Sequence, residues 1–190
     1  MIELLLNTDI ALFHTLNSVW TNVVFDAVFP FLTNLNRQPA MLALVLALMI
    51  WAVWRGGPQG RRAVLAIIIT IVLTDQLNSF VLKDLFGRLR PCRALAEVRL
   101  LVDCGSGLSF PSSHAVNTFA GALVLGFFYP KALWYLMGYA FLVAYSRVYV
   151  GVHYPSDVIG GAVIGLMLGG LVLWIFSQLE SVVTFRRRNA

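Results

Sequence analysis

Long apolar stretches separated by short polar segments dominate the pattern along this chain. The clearest runs cover residues 39–54, 61–82, 112–128, 132–149 and 156–178. Their lengths predict helices, and a helix of about 20 residues crosses a bilayer. The first run is short for that purpose. Residues 8–34 differ, because Asn17, Ser18, Asn22, Asp26 and Asn34 interrupt an otherwise apolar stretch. They predict one or two interfacial helices within an N-terminal region, 1–38. One further tilted span is the alternative. The pattern therefore predicts an all-α, polytopic membrane helix bundle with five transmembrane helices, or six in the alternative. No repeat or low-complexity segment divides it, so residues 1–190 read as a single domain.

Two features inside the runs need an account. Gly161, Gly165 and Gly169 recur at small-xxx-small spacing in the last run, which lets helix backbones approach closely. Packing within the chain is the expected use, with homodimerisation as the alternative. Asp75 lies inside the second run with Gln76 and Asn78 nearby. An ionisable residue there serves either a polar contact inside the bundle or the chemistry.

Composition sharpens the membrane reading. The chain is 59% hydrophobic and 12% charged, against roughly 45–50% and about 25% for a soluble domain. Disordered, collagenous and disulfide-scaffold classes are excluded. The start MIELLLNTD lacks a basic region and a small-residue cleavage site, so the first spans are expected to direct insertion.

Charge then sets orientation. The formal charge is +5, yet no basic helix stands apart from the apolar runs, so nucleic acid is not an expected partner. Arg55, Arg61, Arg62, Lys131 and Arg186 to Arg188 fall on one side of five alternating spans, the expected cytoplasmic side. Segment 83–111 and the turn near 147–155 then face the outside. That outer loop is itself basic, with Lys83, Arg88, Arg90, Arg93 and Arg99. Topology does not explain this charge. With Arg147, in the turn on the same face, thirteen of the 14 Lys and Arg residues are placed, and only Arg37 is left without an assignment. Cys92 and Cys104 share the outer loop, where a disulfide and two free thiols are equally open.

Three polar clusters remain. The first runs from Lys83 to Pro91, with Arg90 before the proline. The second is Pro111-Ser112-Ser113-His114. The third is Ser146-Arg147, then His153, then Asp157. The parity of the spans brings all three to one membrane face. Lys83, Arg90 and Arg147 supply cations suited to a phosphate ester. Ser112 and Ser113 fall at a helix start, where free N–H groups favour an anion. His153 and His114 can divide nucleophilic and acid–base work. Asp157, in the first turn of a helix, can hold one nitrogen of His153 and leave the other free.

Singly, each residue has an ordinary use. A serine before a helix caps it, and an arginine near a span end reaches for the interface. His14, with no polar partner in sequence, reads as interfacial. The conjunction of types, spacing and sidedness favours a single site.

The patterns K-x6-R-P, P-S-x-H and S-R-x5-H-x3-D resemble the three signature motifs of the type 2 phosphatidic acid phosphatase family. They run from Lys83 to Asp157, and the surrounding spans resemble its membrane branch of lipid phosphatases. The third position of the second motif is usually glycine there and is Ser113 here. The resemblance implies a metal-independent hydrolase without a cofactor, acting on a lipid phosphate or diphosphate at the outer face of a bacterial-type inner membrane. Undecaprenyl diphosphate, phosphatidylglycerophosphate, phosphatidic acid and lipid A phosphate are candidate substrates. It also implies roles. His153 would form a phosphohistidine, Asp157 would orient it, and His114 would act as acid and then base. Lys83, Arg90, Ser112, Ser113 and Arg147 would hold the phosphate.

Two other classes are weighed against this one. Two histidines and an aspartate could serve a metal-dependent membrane hydrolase, but no H-E-x-x-H or paired-cysteine spacing occurs. A transporter could use Asp75 and the glycine-rich span, but would leave the clustered cations unexplained. Oligomeric state is not legible.

Overall fold

A computed structural model of the protein describes residues 2–188, and its regular structure is helical throughout. The side chains of Arg186, Arg187 and Arg188, read above as orientation charges, lie outside what is described.

The N-terminal region forms α1 (Ile2–His14), a π-helical turn over Thr15–Val19, and α2 (Val23–Thr33). Asn22 starts α2 by accepting the Phe25 N–H at 2.9 Å, the usual work of an N-cap. α3 (Pro39–Arg55) begins on a proline, whose missing N–H costs nothing in a first turn. α4 (Gly57–Leu77) runs on through a π-helical segment, Asn78–Leu82, into α5 (Lys83–Phe86). Gly87 stops it in the left-handed region at φ 58°, which glycine enters without a Cβ clash. The short α6 (Pro91–Ala94) precedes a long loop. α7 (Ser113–Phe128), α8 (Leu133–Tyr149) and α9 (Pro155–Arg188) complete the bundle.

Each strong apolar run is a helix, four of them at nearly the expected bounds, while the last continues past 178 to Arg188. By length and composition two described helical stretches suffice to cross a bilayer, 57–94 and 155–179. α3, α7 and α8 are shorter, at 17, 16 and 17 residues. The outside is apolar, and polar groups are gathered inside among small apolar side chains. Val23, Trp134 and Tyr135 are at least 80% exposed, while Asn17, Asn78, Ser112 and Asp157 are fully buried. That inversion suits a bundle with hydrocarbon around it, where polar groups must find partners inside.

The glycines of α9 pack against α7, the intramolecular use expected of them. A Cβ on Gly161 would meet the Ser112 carbonyl oxygen at 2.9 Å, on Gly165 the Val116 carbonyl oxygen at 2.3 Å, and on Gly169 the Ala120 carbonyl oxygen at 3.1 Å. Only a missing side chain allows so close a crossing.

The polar interruptions of the N-terminal region turn out to be internal ties. Asn17 is fully buried. It donates to the carbonyls of Arg99 at 2.8 Å and Tyr149 at 2.7 Å, and accepts the Arg99 N–H at 2.9 Å. Asp26 accepts the Tyr149 hydroxyl at 2.6 Å and pairs with Arg99. These bonds fasten the outer loop and the end of α8 to the π-helical turn and to the start of α2. Cys92 and Cys104 are joined in a disulfide, with Cα atoms 6.2 Å apart, so the open alternative resolves to the bonded form. The bond and Arg93, which donates to the Gly105 and Ser106 carbonyls, close the loop on itself.

The two ends of the bundle separate the charges. Gln59 donates to the Phe128 carbonyl, which places the α3–α4 and α7–α8 turns at one end. Arg55, Arg61, Arg62 and Lys131 belong to that end. The three polar clusters gather at the other.

Candidate active site

Helix ends deliver the site. α8 ends at Tyr149, and the chain turns back into α9 through Gly151 at φ 88°. A Cβ on Gly151 would lie 2.8 Å from the Arg99 carbonyl oxygen, so the turn is open only to glycine. It projects His153 into the bundle end, almost fully buried. Pro155 then opens α9 and sets Asp157 in its first turn.

Asp157 is held from every side. Its Oδ2 accepts the Ser109 hydroxyl at 2.5 Å and the Tyr154 N–H at 2.8 Å, and lies 3.4 Å from His153 Nδ1. Its Oδ1 accepts from Arg88 at 2.8 Å. A carboxylate can only accept, so His153 carries its proton on Nδ1 and leaves Nε2 with a lone pair. Among the described residues Nε2 makes no hydrogen bond. Burial disfavours the imidazolium and pulls His153 well below its ordinary value, against the Asp157 interaction that opposes this. The ring is neutral at neutral pH.

His114 lies in the first turn of α7. Its Nε2 sits 3.1 Å from the Thr33 carbonyl oxygen. A carbonyl also only accepts, so Nε2 carries hydrogen and Nδ1 is the nitrogen left for proton transfer. Thr33 holds a second group too, since Arg147 donates to its hydroxyl at 2.5 Å. Arg147 is 93% buried in the side chains around it, and its Nε has no partner among the described residues.

These groups line one cavity of about 480 Å³. Arg37, Arg90, Arg147, His114, His153 and Ser113 are on its wall, with Asp103 as the one carboxylate. Arg90 is aimed by a bond from Nε to the Gly107 carbonyl at 2.9 Å. Burial and the nearby Arg93 pull the Arg90 guanidinium below its ordinary value, though arginine stays charged. Three crowded guanidiniums are a standing cost until an anion enters, which makes the cavity selective for one.

Of the predicted site residues, Arg90, Ser113, His114, Arg147 and His153 meet on this wall, and Asp157 stands directly behind His153. Lys83 and Ser112 are buried but do not line the cavity. The Lys83 ammonium donates to the Leu108 carbonyl at 2.7 Å, and so braces the loop that carries Ser109. The Ser112 N–H donates to the Asp157 carbonyl at 3.1 Å, while its buried hydroxyl has no partner among the described residues.

Four residues join that sequence reasoning missed. Arg37 stands on the cavity wall, and its only signal was that it had no other assignment. Arg88 grips Asp157, Ser156 and Asp9 at 2.8, 2.7 and 2.6 Å and lies over the Tyr154 ring at 3.8 Å. Asp9, from α1, also accepts the Ser156 N–H at 2.9 Å. Ser109 anchors Asp157. Their sequence neighbours give no hint of these long-range contacts.

Comparisons with known proteins bear on the same stretch. Residues 60–181 match the model of the PAP2 superfamily. A lipid A 4'-phosphatase of Bacteroides thetaiotaomicron is 38% identical over 66% of this chain, which spans 57% of that protein's length. An undecaprenyl-diphosphatase of Sulfolobus acidocaldarius is 35% identical over 82% of this chain and 71% of its own. The crystal structure of a transmembrane PAP2 type phosphatidylglycerolphosphate phosphatase from Bacillus subtilis superposes with a TM-score of 0.72. It is 26% identical, covering 92% of this chain and 87% of that one. The matched residues contain all three polar clusters and the helices that deliver them, and on that basis the chain belongs to the PAP2 superfamily.

Proposed function

We propose that this protein is an integral-membrane lipid phosphatase working through a phosphohistidine on His153. One observation carries the reading. Three guanidiniums and two imidazoles converge on one cavity, with the free Nε2 of a neutral His153 on its wall.

The chemistry follows from the geometry. A phosphate ester enters with its oxygens toward Arg37, Arg90, Arg147 and the start of α7. His153 Nε2 attacks phosphorus, and the bond to the leaving oxygen breaks. His114, taking up a second proton on Nδ1 when the anionic phosphate is bound beside it, supplies that proton to the leaving oxygen. Asp157 stabilises the charge that develops on His153. His114, now the base, takes a proton from water, which attacks phosphorus and restores His153. Fixed guanidiniums neutralise the developing charge, the work that metal ions do in many phosphoryl transfers. We infer that no metal or cofactor is needed. Lys83 and Ser112 act from behind the wall in this reading.

The membrane setting is part of the proposal. Five helices, α3, α4 with α5, α7, α8 and α9, cross the bilayer, and α1 and α2 lie at its outer surface. The site faces the exterior or periplasm of an inner membrane. The disulfide in the outer loop supports this side, because such bonds persist in oxidising compartments. The relatives act, by name, on lipid A, undecaprenyl diphosphate and phosphatidylglycerol phosphate, and phosphatidic acid remains a fourth candidate.

Purified protein in detergent, without added metal and with EDTA, is expected to release phosphate from at least one of these four lipids and to be inhibited by vanadate. No release from any, or loss of release in EDTA restored by a metal, would overturn the reading.

A further inference from the structure

A second cavity, of about 380 Å³, opens on the other side of His114. His114 and Ser113 line both cavities. The chemistry of the two differs. The first carries three guanidiniums, whereas no lysine or arginine lines the second. Its polar wall is Asn36, Asp75, Asn117, Thr118 and Tyr139, set among Leu32, Ile71 and Val143.

Asp75 and Asn117 give this wall a definite hydrogen-bonding character. Thr74 donates its hydroxyl to Asn117 Oδ1 at 2.8 Å. That bond occupies the amide oxygen and fixes the amide group. The Asn117 amide nitrogen makes no hydrogen bond among the described residues, so it presents donors to the cavity. Asp75, next to Thr74 on α4, is exposed on the same wall and presents acceptors. A donor beside an acceptor is the complement of an alcohol hydroxyl, which accepts and donates at once. It is a poor complement of a second phosphate, which would meet an acidic side chain and no cation.

This extends the phosphatase reading and rests on it. An ester whose phosphorus sits in the first cavity, with its leaving oxygen at His114, has the second cavity beside that oxygen to receive its leaving group. We propose that the second cavity is a subsite for the hydroxyl-bearing glyceryl or glycosyl group that carries the leaving oxygen, recognised by Asp75 and Asn117. The ester oxygen–phosphorus bond breaks, the oxygen takes the His114 proton, and the group leaves with a neutral hydroxyl at that oxygen. With a diphosphate the leaving group is a phosphate anion, and Asp75 opposes it.

The test is phosphate release by wild type, Asp75→Ala and Asp75→Asn in detergent. Four substrates are compared: phosphatidylglycerophosphate (glyceryl), lipid A phosphate (glycosyl), phosphatidic acid (no free hydroxyl) and undecaprenyl diphosphate. Asp75→Ala should lower kcat/KM about tenfold for whichever hydroxyl-bearing ester is turned over, the worth of one hydrogen bond. It should leave phosphatidic acid within about twofold and raise turnover of the diphosphate. Asp75→Asn, which keeps an acceptor, should recover part of the loss. The glyceryl and glycosyl arms say which alcohol fits. An equal fall on all substrates, or no change on any, overturns the subsite while leaving the phosphatase reading intact. No release from any substrate by the wild type overturns both.

Discussion

The two ends of the bundle both carry positive charge and use it differently. At the end formed by the α3–α4 and α7–α8 turns, Arg61 reaches back to the Val53 carbonyl and Arg55 lies 5.4 Å over Trp54 on its own helix. These are local contacts on an exposed surface. At the opposite end most of the cations are bound at a distance in sequence. Lys83 meets Leu108, Arg88 meets Asp9 and Asp157, Arg99 meets Asp26, and Arg147 meets Thr33. Charge that only orients a protein in a membrane needs water or headgroups nearby. Charge that must face a phosphate in a fixed direction needs a scaffold of partners.

That contrast can be broken by mutation. The largest effect belongs to His153→Ala, which should reduce phosphate release to background while the detergent-solubilised protein keeps its helical circular dichroism. Turnover near wild type would end the contrast. Arg37→Ala should cost on the order of 10²-fold in kcat/KM, the scale of one lost charge-stabilising donor. A loss within about twofold would return Arg37 to the orientation charges. Arg88→Ala removes a support and not a phosphate ligand. It should lower kcat by about tenfold with KM little changed, since its effect passes through Asp157 and His153. A rise in KM alone would show direct binding instead.

A pH profile sharpens the same comparison. In the proposed mechanism His153 attacks as the neutral ring, and burial holds its pKa below the ordinary 6.5. Lowering the pH therefore stops attack only when the medium falls well below that value. The acid limb of kcat/KM, corrected for the substrate's own ionisation, should break below 6.5. A break at or above it would contradict the burial argument. Arg61→Ala, at the far end, should change turnover by no more than about twofold.

How much of this could be read from the chain depends on what each residue touches. The strong helices were legible because apolar periodicity and length act locally. The convergence of Arg90, His114, Arg147 and His153 was legible because span parity is simple arithmetic. Arg37, Arg88, Asp9 and Ser109 were not, since their partners lie far away in sequence and no local pattern encodes such contacts. Arg88 sits inside the first motif and counts among the outer-loop cations, but nothing near it in sequence assigns it a partner. Asn17 and Asp26 looked like a wet helix face and are the rivets that hold the outer loop. Asp75 was visible as an oddity within a span, but only the second cavity gave it something to do.

The central claim is a covalent bond from His153 Nε2 to phosphorus, and quenched single-turnover mixing with a ³²P-labelled lipid phosphate tests it most directly. The account predicts a label on the protein that is stable to base and labile to acid, that decays as free phosphate appears, and that is absent in His153→Ala. Phosphate release at the wild-type rate with no labelled protein at any time, or with the label on another residue, would contradict it.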